Sequence, residues 1–362
     1  MPLNPDQRII SADDHLDIHA MPPGVFEERL PAALRERGPR VVDTKDGPFW
    51  LVEGKPLSPS GRKSVGLIRS EGHGFRPGDP RARLEDMDRD GVHAHVIYSP
   101  TTTQLRFEDP VLRAACLAAY NDWAAEFNRV APDRLFALAD LPCHEPGAAR
   151  AELLRAAKLG LRGAIVHQFQ GADPIFEPSW EPFWDAVQET GLPISVHLGP
   201  GTHSLRPQLG SWRFPALVAV VPMQLDEVLA GMLFSGILEK RPRARLVLGE
   251  AGLGWVPYVL ERCDHEHHKY YESTRDHRLS MLPSEIFARQ VYVTYEDEKL
   301  GVQLIPHIGI RNVMWASDYP HGDSTWPHSR RAIAESPLAA LGAEAVRRIV
   351  CDNAAEVYGI EV

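Results

Sequence analysis

The chain has 362 residues, 44% of them hydrophobic, and a formal net charge of −10. That length and apolar content suffice for a large core, and closed α/β barrels use this much chain as one domain. The acidic balance argues against nucleic acid as a partner, because phosphate binding needs a basic surface.

No run approaches the roughly 18 apolar residues of a membrane span, so no membrane partner is expected. The start "MPLNPDQRII" lacks a basic leader and an apolar signal core, which makes a cytoplasmic protein the expectation. The four cysteines, Cys116, Cys143, Cys263 and Cys351, form no CxxC pair and are expected as free buried thiols.

The first apolar run is "RIISA" (8–12), followed at once by Asp13, Asp14 and His15. Residues 16–84 are rich in Pro, Gly and charge and include "DGPFWLVEGKPLSPSGRK" (46–63). They predict an insertion with a small hairpin over the mouth of the fold, with Phe49, Trp50 and Leu51 shaping an apolar pocket. Further strands are predicted at 93–99, 134–140, 162–167, 193–198, 244–250, 291–295 and 312–317. All are near-continuously apolar and β-branched, as in strands covered on both faces. Helical spacing separates them at 109–130, 145–160, 178–191, 215–242 (two helices joined near Pro222) and 343–359, where Asn353 is a candidate cap. Eight strands alternating with helices predict a single (β/α)8 TIM barrel spanning 1–362. An open doubly wound sheet is the second choice, but no GxGxxG follows the first strand.

In such barrels chemistry sits at the C-terminal ends of the strands. Asp13 and His15 lie two apart in extended chain and therefore share a face, with Asp14 turned away. His167 ends the fourth strand. His197 ends the fifth, with His203 just beyond. Glu250 ends the sixth. Asp318 ends the eighth, followed by His321 and Asp323. Carboxylates and imidazoles crowded into one mouth repel or go unpaired unless a cation holds them, so a metal site is predicted. Tyr98, Tyr295, Trp255 and Trp326 are candidates for the pocket wall. Arg81 or Arg83 could clamp a substrate carboxylate or form surface ion pairs. The "DHEHHKYYE" run at 264–272 is expected on a helix surface.

The pieces "ISADDHLD", "RLEDMDRDGVHAHVIYSP" (83–100), "APDRLFALADLP" (131–142), "GLPISVHLG" (191–199), "RARLVLGEAGLGWVPYVLERCDH" (243–265), "VMWASDYPHGDSTWP" (313–327) and "DNAAEVYG" (352–359) resemble the amidohydrolase-related group of the amidohydrolase superfamily. This group includes the aminocarboxymuconate-semialdehyde decarboxylase relatives. The resemblance implies metal ligands at Asp13, His15, His197, Glu250 and Asp318. Two departures stand out. The frequent HxH of the first strand is DxH here, and the sixth-strand His is Glu250. A carboxylated lysine found on the fourth strand in classical members is replaced by His167.

These swaps make the site more anionic than one zinc needs; mixed His and carboxylate sets with open positions suit iron or manganese. Asp13, Glu250 and Asp318, with His15, His167, His197 and His203 or His321, would suffice for two divalent ions, with iron favoured and manganese or zinc as alternatives. The family's carboxylate-rich branch includes nonheme diiron monooxygenases acting on diterpenoid acids and small amino acids. On that basis the expected activity is hydroxylation of a C–H bond of an acid-type small molecule, with dioxygen and an electron donor as partners and Asp318, Glu250 and His197 as catalytic residues. The alternative is a mononuclear hydrolase or a non-oxidative decarboxylase using metal-activated water and Asp318. A third possibility is a metal-bound structural subunit without catalysis. A homodimer is the default assembly.

Overall fold

The computed structural model describes residues 4–62, 74–100, 107–167, 173–198, 205, 210–275 and 277–362. Strand β1 (Ile10–His15) is followed by an antiparallel trio, β2 (Arg40–Thr44), β3 (Gly47–Val52) and β4 (Lys55–Pro59). Then come β5 (Ala94–Tyr98), β6 (Leu135–Ala137), β7 (Ala139–Asp140), β8 (Ala164–Ile165), β9 (Ile194–His197), β10 (Leu246–Gly249), β11 (Val291–Tyr295) and β12 (Val313–Trp315).

Two parallel sheets, β1-β5-β6 and β12-β11-β10-β9-β8-β7, make up the barrel wall. The third predicted strand is split at Leu138, whose N–H reaches back to Ile97 O at 2.9 Å while Ala139 N–H reaches forward to Gly163 O at 3.0 Å. The ring closes between β12 and β1: Asp318 N donates to Asp13 O at 3.1 Å and His15 N to Tyr319 O at 2.7 Å. These strands carry apolar side chains at nearly every position because the barrel interior covers one face and the helices the other.

β1 begins later and runs further than the apolar pattern indicates, so Asp13, Asp14 and His15 are strand residues. The β1–β5 register is irregular between Ser11 and Asp14. The helices start and stop where local chemistry directs. Asp79 and Asp109 cap Pro80–Asp90 and Pro110–Asn128 through their carboxylates, and left-handed Gly91 and Gly160 end two helices. Asn353 is no cap: its amide donates to Ile310 O and Val313 O, tying the last helix to the start of β12.

The insertion folds as β2-β3-β4 and closes onto the segment after β1, where Gly61 N donates to His19 O at 2.8 Å. Trp50 is fully buried and packs edge-on to Phe26, so it forms the insertion's own core and does not line an open pocket. Within the span expected at 215–242, segment Arg213–Phe234 runs 22 residues, with a mean hydropathy of 1.6 over an 18-residue stretch, and a short helix follows at Ile237–Lys240. Segment Arg213–Phe234 is broken by a 3-10 turn at Val221–Leu225, and its second half buries Val228, Leu229, Met232 and Leu233.

Candidate functional site

Three strand ends converge at the mouth. Asp13 and His15 end β1, His197 ends β9, and Asp318 follows β12. His15 Nε2 lies 3.5 Å from Asp13 Oδ1 and 3.0 Å from Asp318 Oδ1, and His197 Nε2 lies 3.6 Å from Asp13 Oδ1. Each of these four atoms is buried and without a hydrogen-bond partner. Unpaired buried polar atoms are costly, and four aimed at one another are hard to sustain without a cation. Ligand atoms held about 2.0–2.2 Å from a divalent ion lie roughly 3 to 3.5 Å apart, which these separations match. The residues therefore fit a metal ion.

The surrounding contacts prepare the ligands. His197 Nδ1 lies 2.7 Å from Leu198 O, which directs its proton there and leaves Nε2 free. Asp13 Oδ2 accepts from Glu250 N at 2.7 Å and from Thr294 Oγ1 at 2.8 Å, and Oδ1 is left unpartnered. Gly249, the register partner of His197, faces this group, and a Cβ there would meet His197, Asp13 and Tyr98 at 3.0 Å or less. Glu250 and Asp318 hold positive φ angles of 48° and 59°, uncommon for residues with a side chain.

Charge excess shows in the titration. Burial alone would lower the pKa of His197, but Asp13 and Glu250 hold it well above the usual value. Burial would raise Asp318, yet His321 and His15 keep it below the carboxylate range. Burial also opposes the charge on Asp17, but His321 brings it down to about 2. Glu296, by contrast, is pushed up to about 10 by burial and by Asp318, Asp323 and Glu250.

Among the predicted ligands, Asp13, His15, His197 and Asp318 come together, with Glu250 Oε2 3.2 Å from His197 Nε2. His321 joins from the side, stacked on His15 at 4.2 Å, with Nδ1 3.0 Å from Asp318 and Nε2 3.4 Å from Asp17. His167 is instead paired to Asp140, Nε2 to Oδ1 at 3.1 Å, and belongs to none of the ligand groups among the described residues. His203 lies outside the described residues.

Of the predicted wall residues, Tyr98 packs against His15 and His197 with ring separations of 5.8 and 5.1 Å. Tyr295 is buried and its hydroxyl has no partner. Trp255 is half-buried and donates to Ala251 O at 2.7 Å. Trp326 donates to Asp86 O and packs on Tyr319, so it buttresses the first long helix. Arg83 forms neither a surface pair nor a substrate clamp: fully buried, it donates to His15 O at 2.9 Å and Pro77 O at 3.2 Å. Asp14 turns away from the ligands and accepts from Ser11, Ser317 and Tyr319 N. Sequence reasoning missed Thr294, Gly249 and Glu296. The acidic run "YEDE" at the end of the seventh strand was the one available signal for Glu296.

Comparison with known proteins narrows the chemistry. A gamma-resorcylate decarboxylase of Rhizobium radiobacter is 26% identical over 319 residues, covering 76% of this chain and 92% of that protein. The crystal structure of a 5-carboxyvanillate decarboxylase from Sphingomonas paucimobilis superposes with a TM-score of 0.72 at 22% identity, covering 98% and 100% of the two chains. A dihydroxybenzoic acid decarboxylase of Polaromonas sp. JS666, solved with bound manganese, superposes with a TM-score of 0.66 at 20% identity, covering 98% and 97%. The structural likenesses below 25% identity show the barrel.

The expectation of a nonheme diiron monooxygenase is overturned. The relatives are decarboxylases, and neither iron, a second ion, dioxygen nor an electron donor finds support among them. The ligand geometry explains why the expectation failed. Among the described residues the groups Asp13, His15, His197 and His15, Glu250, Asp318, His321 share His15, and a third, Glu296, Asp318, Asp323, shares Asp318. The nitrogen that a second iron would have drawn from His167 is engaged with Asp140. A family profile described as Amidohydrolase matches residues 17–360. It starts just past His15, so the first-strand ligands stand on the geometry alone. Matched over nearly its whole length and folded as that family's (β/α)8 barrel, the chain belongs to the amidohydrolase family.

Proposed function

We propose that this protein is a metal-dependent, non-oxidative decarboxylase of a small hydroxylated aromatic acid. The observation that carries this is the relationship to the Rhizobium radiobacter gamma-resorcylate decarboxylase, aligned over 76% of this chain and 92% of that protein. The convergence of four unpartnered ligand atoms supports it.

One divalent ion is the economical assignment, held by Asp13, His15, His197 and Asp318 with Glu250 at the margin. The mixed nitrogen and oxygen set suits manganese. A cation there supplies a positive charge that orients an anionic substrate and steadies charge developing on its oxygen.

The chain's own groups handle the proton. The ring carbon that bears the carboxylate takes a proton, and the electron pair of the broken C–C bond stays on the ring as carbon dioxide leaves. His321 lies between two carboxylates, Asp318 and Asp17, which raise its pKa against the effect of its burial. Its Nδ1 lies 3.0 Å from Asp318 Oδ2, so the proton at Nδ1 reaches the ring carbon by way of the Asp318 carboxylate. Tyr98 backs His15 and His197 and keeps water from beneath the ligands.

The test is carbon dioxide release from 2,6-dihydroxybenzoate, 5-carboxyvanillate and the monohydroxybenzoates by manganese-loaded protein, with and without oxygen. Equal anaerobic turnover of one acid supports the assignment, with solvent deuterium appearing on the product ring and Asp318→Asn abolishing turnover. Absence of release from the whole panel refutes it.

A further inference from the structure

A second polar group lies beside the ligands and takes no part in holding the ion. His167 Nε2 sits 3.1 Å from Asp140 Oδ1, and Asp140 Oδ2 accepts from Ser99 Oγ at 2.7 Å. The three are 7%, 1% and 2% exposed, too buried for a chance surface contact. The backbone N–H of His167 is itself anchored, on Cys143 Sγ at 3.1 Å.

The location is set by strand register. Ile165 pairs with Ser195, and Val166 N donates to Ser195 O at 2.9 Å, continuing the pairing one step. His167 therefore comes alongside His197, one strand away from a metal ligand, and neighbouring strands are about 4.8 Å apart. Asp140 ends β7 and Ser99 follows β5, so the group fills the stretch of barrel wall between β1 and β9.

The hydrogen bonds determine what the ring offers. A carboxylate at Nε2 places the proton on that nitrogen and leaves a lone pair on Nδ1. Nδ1 has no hydrogen-bond partner among the described residues. Its ring is held at Nε2 by a buried carboxylate, and Nδ1 is the nitrogen left to accept, the arrangement of a positioned acceptor.

We propose that His167, braced by Asp140 and Ser99, accepts a hydrogen bond at Nδ1 from a ring hydroxyl of the substrate and so selects hydroxylated aromatic acids. The inference rests on the decarboxylase assignment. It also gives the hydroxyl a chemical role. As its proton shifts toward Nδ1, electron density moves from oxygen into the ring. That favours protonation of the ring carbon that loses carboxylate. The C–C electron pair stays on the ring, carbon dioxide departs, and the proton held at Nδ1 returns to the oxygen.

The experiment measures binding of benzoate, the three monohydroxybenzoates and 2,6-dihydroxybenzoate to manganese-loaded protein by calorimetry, alongside carbon dioxide release. Wild type is expected to prefer one hydroxylated acid over benzoate. His167→Leu is expected to lose about tenfold in affinity for that acid, with benzoate and manganese content unchanged. His167→Asn, which keeps an acceptor near the Nδ1 position, restores most of the preference. Asp140→Asn, which frees the tautomer, gives the same selective loss and serves in place of His167→Leu if that variant does not fold. Equal losses for benzoate and the hydroxylated acid, no loss, or no preference in wild type overturns the proposal. Selective loss without carbon dioxide release from any acid would refute the decarboxylase assignment and leave hydroxyl recognition standing. Release without a His167-dependent preference would refute the recognition alone.

Discussion

Gly249→Ala tests the centre with a single methyl group. Gly249 sits in regular β10 backbone directly opposite His197, so alanine meets no conformational obstacle there. The obstacle is space. The new Cβ would lie 2.8 Å from His197 Cδ2 and 3.0 Å from both Asp13 Oδ2 and Tyr98 Cε1. Ordinary contact needs roughly 3.5 Å or more, so two ligands and the ring behind them must move by about half an ångström. Overpacking of this kind costs about 1–3 kcal/mol. Displaced ligand support typically weakens metal binding by about 10–100-fold. The assay is manganese retained after dialysis against graded chelator, read with a denaturation curve on the same samples. Metal retention equal to wild type, with stability lowered or not, would refute the placement of Gly249 beneath the ligands.

Three further outcomes are expected. Thr294→Val removes the hydroxyl that donates to Asp13 Oδ2 and accepts from Glu250 N, and should lower manganese affinity by about tenfold without unfolding the barrel; chelator competition would expose an unaffected affinity. Arg83→Met removes the buried donor that ties His15 O and Pro77 O together and should destabilise by about 1–3 kcal/mol in urea; unchanged stability would show that these carbonyls do not depend on it. Glu239 accepts from Ser280 N and Met281 N at 2.7 and 2.9 Å. Burial would raise its pKa, but those donors bring it below the ordinary 4.5. Its carboxylate therefore adds stability above that value and loses it as pH falls through the lower folded value. Stability curves of wild type and Glu239→Gln should then differ at pH 7 and converge in acid, and a gap independent of pH would contradict the assignment.

What the sequence makes legible depends on the range of the contact involved. Alternation of β-branched runs with helical spacing is local, and it locates all eight barrel strands to within a few residues. The two-residue period of β1 is enough to put Asp13 and His15 on one face and Asp14 on the other. The substitution of Glu250 for histidine is equally visible, but its meaning is not. On its own it suggests a harder, dinuclear site. In the fold, its backbone N–H braces Asp13 while its carboxylate meets His197.

Sequence by itself determined the order of strands and helices, the strand ends that could carry ligands, and the family. Tertiary structure decided which of those ends share a point. His167 and His197 close their strands in the same way, yet closure of the barrel turns one to Asp140 and the other to Asp13. Thr294 supports Asp13 from 281 residues away. Gly249 matters through the space it leaves. Trp50 and Trp326 bury their rings against the insertion and the first long helix because apolar area seeks the nearest core, whatever its sequence neighbours suggest. Periodicity sets the face a side chain takes; only the closed ring of hydrogen bonds between β12 and β1 sets what stands opposite it.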